Sequence, residues 1–453
     1  MQHTSEAQIT KNLHPTTFFM TIDLLIKNCH LVPDPAKNES IPHGFIAIKD
    51  ERIVETGPMD QCPEPDKGTV IDGQGHLAMS GLVNGHCHAP MTLFRGMADD
   101  LVLSSWLNEH IFPAEAKHVS PEMAYWCSKL AAAEMLLSGT TTVADAYFFE
   151  EEVSQAFLET GIRAMPAQAI IDFPAPGVPD PAKALHVTEA FIDSWTGKTP
   201  LITPALFAHS PYTCCTETLV HAKKLARQKK VPFFIHLAET ADEIQHIHQA
   251  QGATPVQHLE AIGVLDTHTV CVHAVWVNAQ DIDILDTHGC SVISCPQSNL
   301  KLASGIAPVP LMLKKGMRVG LGTDGCASNN TLDMFREMDI CAKIQKLPAL
   351  DPVGIPAENI LHAATIGGAQ ALGMDGDIGA LIPGNIADII LLDIQNPQLQ
   401  PFYTANTLVY SGSASTVRSV IVHGQLVVHN RELLTFDLNE TKEHVRTLAE
   451  QIK

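Results

Sequence analysis

The sequence of 453 residues lacks several features that mark particular classes of protein. It contains no uninterrupted run of about 18 apolar residues, the length that a membrane-spanning helix requires. Its first 20 residues have no continuous apolar core of the signal-peptide type. The 11 cysteines are odd in number and scattered, unlike the disulfide framework of a secreted domain. We therefore expect a cytoplasmic protein with reduced thiols and no membrane partner.

Basic residues are also scarce. The chain has 29 Lys and Arg against 50 Asp and Glu, which gives a formal net charge of −21 at pH 7. Nucleic acids and anionic membranes bind cationic surfaces, so this charge argues against both as partners. A neutral or cationic small molecule is the expected ligand.

Hydrophobic residues make up 45% of the chain, enough for a large core, and both chain ends have a β-rich pattern. Residues 22–71 contain runs such as GFIAIKDERIVETG, and residues 386–429 contain IADIILLDI and VRSVIVHGQLVVH. These runs alternate and are rich in Val and Ile, which is typical of strands. The pattern predicts either one β-sandwich built from both ends or two independent hairpins.

The middle of the chain alternates strand and helix patterns. In the helical stretch PEMAYWCSKLAAAEMLLSG, Pro121 suits the first turn and Gly139 suits the end. Eight β/α repeats over about 300 residues favour a parallel (β/α)8 barrel over an open doubly wound sheet. The predicted barrel strands are residues 82–86, 141–146, 163–171, 201–208, 231–238, 269–274, 290–295 and 317–324.

The predicted fold is α/β, a (β/α)8 barrel, and for the chain ends we favour a small composite β-sandwich domain formed by both, with two independent hairpins as the alternative. Residues 1–21 are expected to be a loose tail. We place the first part of the sandwich at 22–80, the barrel at 81–384, and the second part of the sandwich with a C-terminal helix at 385–453.

Two histidines close the first barrel strand, in the segment GLVNGHCHAP. Residues i and i+2 of a strand point to the same side, so His86 and His88 would converge on one point. Imidazole is the commonest neutral metal ligand in proteins, which makes a metal ion the usual reason for such a pair. Two histidines do not make a site, however, and further ligands are needed.

Polar residues also end three other predicted strands. His236 and Glu239 close the fifth strand, His273 closes the sixth, and Asp324 closes the eighth. Each has an ordinary alternative, since a lone His in an apolar run is often hydrogen-bonded in the core and Asp before Gly often forms a turn. Together they indicate a metal site, because the C-terminal ends of barrel strands meet at one face.

Three imidazoles and a carboxylate suit Zn²⁺, with Fe²⁺ as the alternative ion. Binuclear barrel hydrolases commonly bridge two ions with a modified Lys at the end of the fourth strand. Here that strand carries His209 and no Lys, which favours one ion per subunit and assigns His209 to the substrate.

Several motifs resemble the amidohydrolase superfamily, in its deaminase and chlorohydrolase branch. They are NGHCHAPM, HLAET, VHAVW, GLGTDGCASNN, CPQSNLKLASGIAPV and GALIPGNIADIILLD, and the resemblance covers about residues 22–430. Within that branch, SSWLNEHIFPAEAK and FAHSPY are similar to the 5′-methylthioadenosine/S-adenosylhomocysteine deaminases. Trp106 and Glu115 are nine residues apart, a separation that in this group is associated with recognition of an adenine nucleoside.

The resemblance implies a role for each candidate residue. Glu239 is implied as the proton shuttle and His273 as the residue that orients the attacking water, with Asp324 also in contact with that water. Glu115 is implied to bind the ribose hydroxyls. Trp106, Glu239 and Asp324 would also face the nucleoside, as would His209, and the implied metal ligands are His86, His88, His236 and Asp324.

Arg163 departs from the pattern of the group, which holds a substrate carboxylate with arginines near the third strand. At the start of its strand it would lie at the wrong end of the barrel, which favours 5′-methylthioadenosine over S-adenosylhomocysteine. No Gly-rich phosphate-binding loop lies near the strand ends, so a nucleoside is preferred over a nucleotide.

The predicted function is zinc-dependent hydrolytic deamination of an adenine nucleoside, by a homo-oligomer. Two alternatives stay open. One is a hydrolase of the same branch that acts on guanine, a pterin, cytosine or an s-triazine, and the other is a barrel that binds without catalysing.

Overall fold

The strands of the protein form two sheets. A computed structural model describes residues 22–37, 39–65 and 67–452, so the predicted tail at 1–21 lies outside the described residues. The N-terminal part contributes β1 (Leu24–Leu31), β2 (Ile41–Lys49), β3 (Arg52–Pro58), β4 (Thr69–Asp72) and β5 (His76–Ser80). The middle contributes β6 (Leu82–Cys87), β7 (Thr140–Tyr147), β8 (Arg163–Ile170), β9 (Ala205–Ala208), β10 (Phe233–Leu237), β11 (Thr269–His273), β12 (Ser291–Ser294) and β13 (Val319–Leu321). The C-terminal part contributes β14 (Ile389–Asp393), β15 (Val417–Val422), β16 (Gln425–His429) and β17 (Glu432–Leu433).

Helices follow most of the middle strands. They are α1 (Leu103–Ser105), α2 (Phe112–His118), α3 (Pro121–Leu137), α4 (Glu150–Thr160), α5 (Ala184–Trp195), α6 (Thr216–Lys229), α7 (Ala241–Gln251), α8 (Pro255–Ala261), α9 (Ala279–Thr287), α10 (Pro296–Lys301), α11 (Val309–Lys314), α12 (Cys326–Asn329), α13 (Met334–Ile344), α14 (Ala357–Ala363), α15 (Ile366–Ala371), α16 (Thr407–Ser411) and α17 (Leu438–Glu450). A π-helical segment, Trp106–Ile111, joins α1 to α2, and short 3₁₀ turns lie at Met59–Gln61, Ala89–Phe94, Pro181–Lys183, Pro397–Leu399 and Ala414–Thr416.

The eight middle strands pair in parallel and in chain order, from β6 to β13. The backbone N–H of Asp324, just after β13, donates to the carbonyl of His86 in β6 at 3.0 Å, so the last strand returns to the first. The predicted (β/α)8 barrel is confirmed, with a helix following each strand. The fourth, fifth and eighth strands are each at least three residues shorter than predicted.

Alternate residues of each barrel strand face two different cores. Ala144, Phe207 and Ile293 belong to the cluster inside the barrel, whereas their neighbours in sequence Leu206 and Val292 pack outward against the helices. Successive side chains of a strand point to opposite faces, and both faces of a parallel barrel are covered. This explains why the barrel strands read as continuous apolar runs.

The remaining nine strands form one sheet from both chain ends, in the order β17-β16-β15-β14-β5-β1-β2-β3, with β4 paired to β1. The junction is β14, which pairs antiparallel with β5 through contacts such as Ile389 with Ser80. The composite β-domain is confirmed, and two independent hairpins are excluded. Its boundaries with the barrel at residues 80 and 385 remain our proposal.

Contacts of Asp388 and His444 are among those that attach the C-terminal elements to the barrel. Arg163, the first residue of β8, donates to the Asp388 carboxylate from Nε at 2.8 Å and from Nη2 at 3.0 Å, and both side chains are buried. On α17, His444 stacks on Trp126 of α3 with ring centroids 3.8 Å apart. Within the described residues, no helix combines the length and hydropathy needed to cross a membrane.

Candidate active site

Five polar side chains from four strand ends meet at the C-terminal face of the barrel. His86 lies in β6 with His88 just after it, His236 lies in β10, His273 ends β11, and Asp324 follows β13. The Nε2 atoms of His86 and His236 are 3.2 Å apart. Asp324 Oδ1 lies 3.5 Å from His86 Nε2 and 3.2 Å from His88 Nε2. The structure thus brings together side chains that are far apart in the sequence.

This cluster has the donor set of a divalent metal site. The ligand atoms of His86, His88 and His236 lie within 4.8 Å of one another, and so do those of His86, His273 and Asp324. Two imidazole nitrogens at 3.2 Å have lone pairs that repel each other unless a proton or a cation lies between them. Imidazoles with one carboxylate are ligands that suit a divalent transition metal.

The protonation of His86 and His236 agrees with metal binding, whereas His88 is held protonated by Asp324. Burial lowers the pKa of His86 to about 4 and that of His236 well below its usual value, so both are neutral at pH 7 and keep a lone pair for a metal. At His88, burial lowers the pKa, but the hydrogen bond and negative charge of Asp324 raise it more, to about 9. The carboxylate of Asp324 therefore favours positive charge at this point.

Hydrogen bonds from neighbouring residues orient these side chains. Asp324 Oδ2 accepts from Ser298 Oγ at 2.6 Å and from Ser328 Oγ at 2.9 Å. Nδ1 of His273 lies 2.9 Å from Asn299 Oδ1, and an amide oxygen only accepts, so Nδ1 of this ring carries the proton. Such outer contacts set the tautomer and the direction of each ring.

The backbone at the strand ends adopts an uncommon conformation. Ala238, His273, Ala274 and Asp324 have φ values of +52°, +73°, +47° and +62°. Residues other than glycine adopt this left-handed region at a cost, and such residues cluster at functional sites. Here the chain changes direction immediately beside the cluster of four histidines and Asp324, which we call the metal cluster.

Glu239 lies two residues beyond the end of β10 and is 8% exposed. Burial raises the pKa of its carboxyl group. A carboxyl group with a raised pKa exchanges a proton closer to neutral pH, which is what a general acid and base needs.

A cavity of about 470 Å³ opens onto the metal cluster. His88, His236, Glu239, His273 and Asp324 line its polar end, and the other walls are mainly apolar. This volume falls within the range of about 300–1,000 Å³ that is usual for small-molecule sites.

Trp106 and Glu115 both line this cavity and are both buried. They lie on the continuous helix formed by α1, the π-helical segment and α2. Nine residues correspond to about two and a half turns of a regular α-helix, which would place the two side chains on opposite faces. The π-helical segment Trp106–Ile111 departs from that rotation, and π-helical turns are frequent at functional sites.

Glu115 accepts a hydrogen bond from the hydroxyl of Tyr147 at 2.6 Å. Burial raises the pKa of Glu115 to about 7, although this hydrogen bond and the charge of His88 oppose the shift. A buried carboxylate at the cavity wall is a strong acceptor for ligand hydroxyl groups.

His209 follows β9 and lines the same cavity, with its ring centroid 5.1 Å from that of His236. Its Nδ1 is 2.8 Å from Thr213 Oγ1. Burial lowers the pKa of His209 to about 3, so the ring is neutral at pH 7.

Sequence reasoning missed several residues of the site. Ser298 and Asn299 lie in CPQSNLKLASG, and their partners Asp324 and His273 are each 26 residues away. Ser328 lies in GTDGCASNN only four residues after its partner Asp324, so the spacing within this motif was a signal for that contact. Tyr147 had no signal beyond its place at the end of a strand.

Comparisons with known proteins agree with this geometry. Residues 77–427 match the amidohydrolase family. The chain is 45% identical over 432 residues to a 5-methylthioadenosine/S-adenosylhomocysteine deaminase of Syntrophobacter fumaroxidans, with 95% of this chain and 98% of that protein covered. It is 40% identical to a 5′-deoxyadenosine deaminase of Methanothermobacter thermautotrophicus, with 90% and 94% covered.

Among solved structures, an adenosine deaminase from Xanthomonas campestris with bound zinc matches with a TM-score of 0.92. It is 34% identical, and the match covers 95% of this chain and 99% of that chain. The family match extends over well more than half of the sequence and includes the strand ends that carry the histidines and Asp324. The chain therefore belongs to the amidohydrolase family.

Proposed function

We propose that the protein catalyses the hydrolytic deamination of an adenine nucleoside, with 5′-methylthioadenosine as the preferred substrate. One observation carries the proposal: a single cavity has a metal-type cluster with the buried Glu239 at one end and the buried Glu115 in another wall. The cluster with Glu239 suits hydrolysis at a nucleobase, and the carboxylate of Glu115 suits recognition of the ribose hydroxyls. The names of the relatives, which are deaminases of adenine nucleosides, support the same assignment.

We assign His86, His88, His236 and Asp324 as the ligands of one Zn²⁺ ion. Zinc is favoured because imidazole and carboxylate are its usual ligands and because the Xanthomonas structure has bound zinc. A bound divalent cation supplies Lewis acidity, which lowers the pKa of water from 15.7 to about 7.

In the proposed reaction, water adds to C6 of the adenine ring and the bond from C6 to the amino nitrogen breaks. Glu239 takes a proton from the attacking water and transfers it to ring N1 as C6 becomes tetrahedral. The proton of the new C6 hydroxyl then passes to the amino group, so that ammonia leaves and C6 becomes a carbonyl. His273 and Asp324 hydrogen-bond the attacking water and direct its lone pair at C6. The products are the inosine analogue and ammonia.

Three further residues are assigned to the nucleoside. Glu115 accepts hydrogen bonds from the ribose hydroxyls, and the hydroxyl of Tyr147 holds its carboxylate in place. Trp106 forms an apolar wall of the cavity. His209 is neutral and lies beside the metal cluster, where it contacts the nucleoside.

The preference for a methylthio group rests on the apolar walls. Leu107, Ile111, Phe112 and Phe173 line the cavity, and the rings of Phe112 and Phe173 pack edge to face at 5.4 Å. In the part of the chain that the structure describes, the lining includes no Lys or Arg. A homocysteine carboxylate would lose water here without gaining a counter-charge, which is costly. Arg163 cannot supply that charge, since it is paired with Asp388 at the start of β8.

The test is ammonia release from 5′-methylthioadenosine, 5′-deoxyadenosine, adenosine, S-adenosylhomocysteine, guanine and cytosine, with metal content measured on the same sample. We expect the highest kcat/KM for 5′-methylthioadenosine and about one zinc per chain. Turnover of a bare base alone would contradict the role of Glu115. Equal turnover of S-adenosylhomocysteine would contradict the apolar preference, and no ammonia from any of them would contradict the function.

A further inference from the structure

Glu243, in the first turn of α7, binds the backbone beside the metal cluster. The N-cap of α7 is Thr240, and its Oγ1 accepts from the backbone N–H of Glu243 at 3.2 Å. The sequence Thr-Ala-Asp-Glu at this point is typical of a capping box, in which the Glu would accept from the backbone N–H of the N-cap residue itself.

The structure uses this carboxylate differently. Glu243 Oε1 accepts from the backbone N–H of Ala238 at 2.8 Å, and Oε2 accepts from the backbone N–H of Glu239 at 2.9 Å. Both bonds are buried, and the Glu243 side chain is 3% exposed. One carboxylate therefore holds two consecutive residues that precede the helix.

These bonds complete the hydrogen bonding of a strained turn. Ala238 has a φ of +52°. The carbonyls of Leu237 and Ala238 accept from the backbone N–H groups of Ala274 and Trp276, at 3.0 and 2.8 Å, which ties the turn to the chain after β11. The backbone N–H groups of Ala238 and Glu239 in the same turn donate to the Glu243 carboxylate. Buried backbone groups need such partners, and strained conformations persist only where the surroundings hold them.

We propose that Glu243 is a positioning residue that fixes the turn at 237–239 and thereby aims the carboxylate of Glu239 at the substrate. The proposal rests on the role assigned to Glu239 in the proposed function. Helix capping alone would not require Glu243 to reach past Thr240. The two acceptor atoms of a carboxylate match the two N–H donors of the turn, and no neutral side chain of the same shape offers that match.

The deciding variant is Glu243→Gln, because glutamine keeps the size of the side chain but has one acceptor oxygen in place of two. One buried N–H of the turn then loses its partner. We expect kcat to fall by about 10- to 100-fold, with KM changed by less than about two-fold and metal content unchanged. Asp242→Asn is the matched control, since it removes an exposed carboxylate from the same helical turn.

Two measurements separate positioning from a general structural role. Amide hydrogen exchange should accelerate in the peptide that contains Ala238 and Glu239, while peptides of the barrel strands keep their protection. In a Glu239→Gln background, Glu243→Gln should lower the residual kcat little further, because its effect passes through Glu239. If Glu243→Gln does not fold, Glu243→Asp keeps both carboxyl oxygens, shortens the reach and should give the same pattern.

Unchanged exchange at the turn overturns the proposal, whatever the activity. Faster exchange with an unchanged kcat also overturns it, as does an equal loss of kcat in both backgrounds. Absence of nucleoside deaminase activity in the unmodified protein would instead contradict the proposed function, and the exchange comparison would still decide whether Glu243 holds the turn.

Discussion

Replacing Glu239 by Gln tests the proposed chemistry directly. The change keeps the size of a side chain that is 8% exposed and removes only its ability to carry a proton. Burial raises the pKa of this carboxyl group and so favours its neutral form, and we therefore expect a neutral amide at this place to cost little stability.

The expected loss follows from the two proton transfers assigned to Glu239, from water and to ring N1. General acid–base catalysis contributes about 10²- to 10⁴-fold, so kcat should fall by that factor, or about 2.7–5.4 kcal/mol at about 1.36 kcal/mol per tenfold. KM should change by less than about three-fold, and metal content should stay the same, since Glu239 is not among the proposed ligands.

The measurement is steady-state ammonia release from 5′-methylthioadenosine, with metal analysis of the same preparation. Glu217→Gln, which changes an exposed carboxylate in the first turn of α6, is the matched control and should keep full activity. A Glu239→Gln protein that retained its metal and more than about a tenth of the kcat would refute the assigned proton transfer.

Three further predictions follow from the same structure. For Glu115, the pKa of about 7 means that the acceptor form is present above this pH, so kcat/KM for nucleosides should decline as pH falls through 7. Glu115→Gln should raise KM by about 10-fold and weaken that decline, leaving the part that Glu239 contributes, and an unchanged acid limb in the variant would contradict the role. Arg163→Gln breaks the buried pair with Asp388 and should lower the free energy of unfolding in urea by about 3–5 kcal/mol. The ratio of kcat/KM values for 5′-methylthioadenosine and S-adenosylhomocysteine should not change, and a selective loss of the latter would show that Arg163 serves the substrate. Removal of metal with a chelator should abolish ammonia release and lower the Tm, and Zn²⁺ should restore both, whereas full activity of the metal-free protein would refute the metal assignment.

Much of the architecture was predictable because it depends on local pattern. All eight barrel strands were predicted, since buried parallel strands read as short apolar runs between helices with clear start and stop residues. For α3, the predicted features at Pro121 and Gly139 match a helix over Pro121–Leu137, followed by Gly139 at a φ of +85°. Strand β5 was missed, although it joins the two chain ends into one sheet.

The candidate site also has a part that the sequence predicted and a part that it did not. Polar residues at strand ends, such as His236 and Asp324, can be read from the sequence because a barrel brings all of its C-terminal strand ends to one face. The partners of those residues cannot, because they depend on which side chains of separate elements come into contact. Ser298 with Asp324 and Asn299 with His273 are of this kind.

The sequence by itself favoured the barrel and identified the polar residue types that end its strands, since these follow from periodicity and from the order of strands. It left open whether the two β-rich chain ends join, which the pairing of β14 with β5 decided. Only the tertiary structure decided how those residues are held. The π-helical turns between Trp106 and Glu115, and the use of Glu243 for the turn rather than for its own helix cap, are seen only in the folded chain. The same local sequence is compatible with a regular helix and with a capping box, and the conformation of the whole chain selects between them.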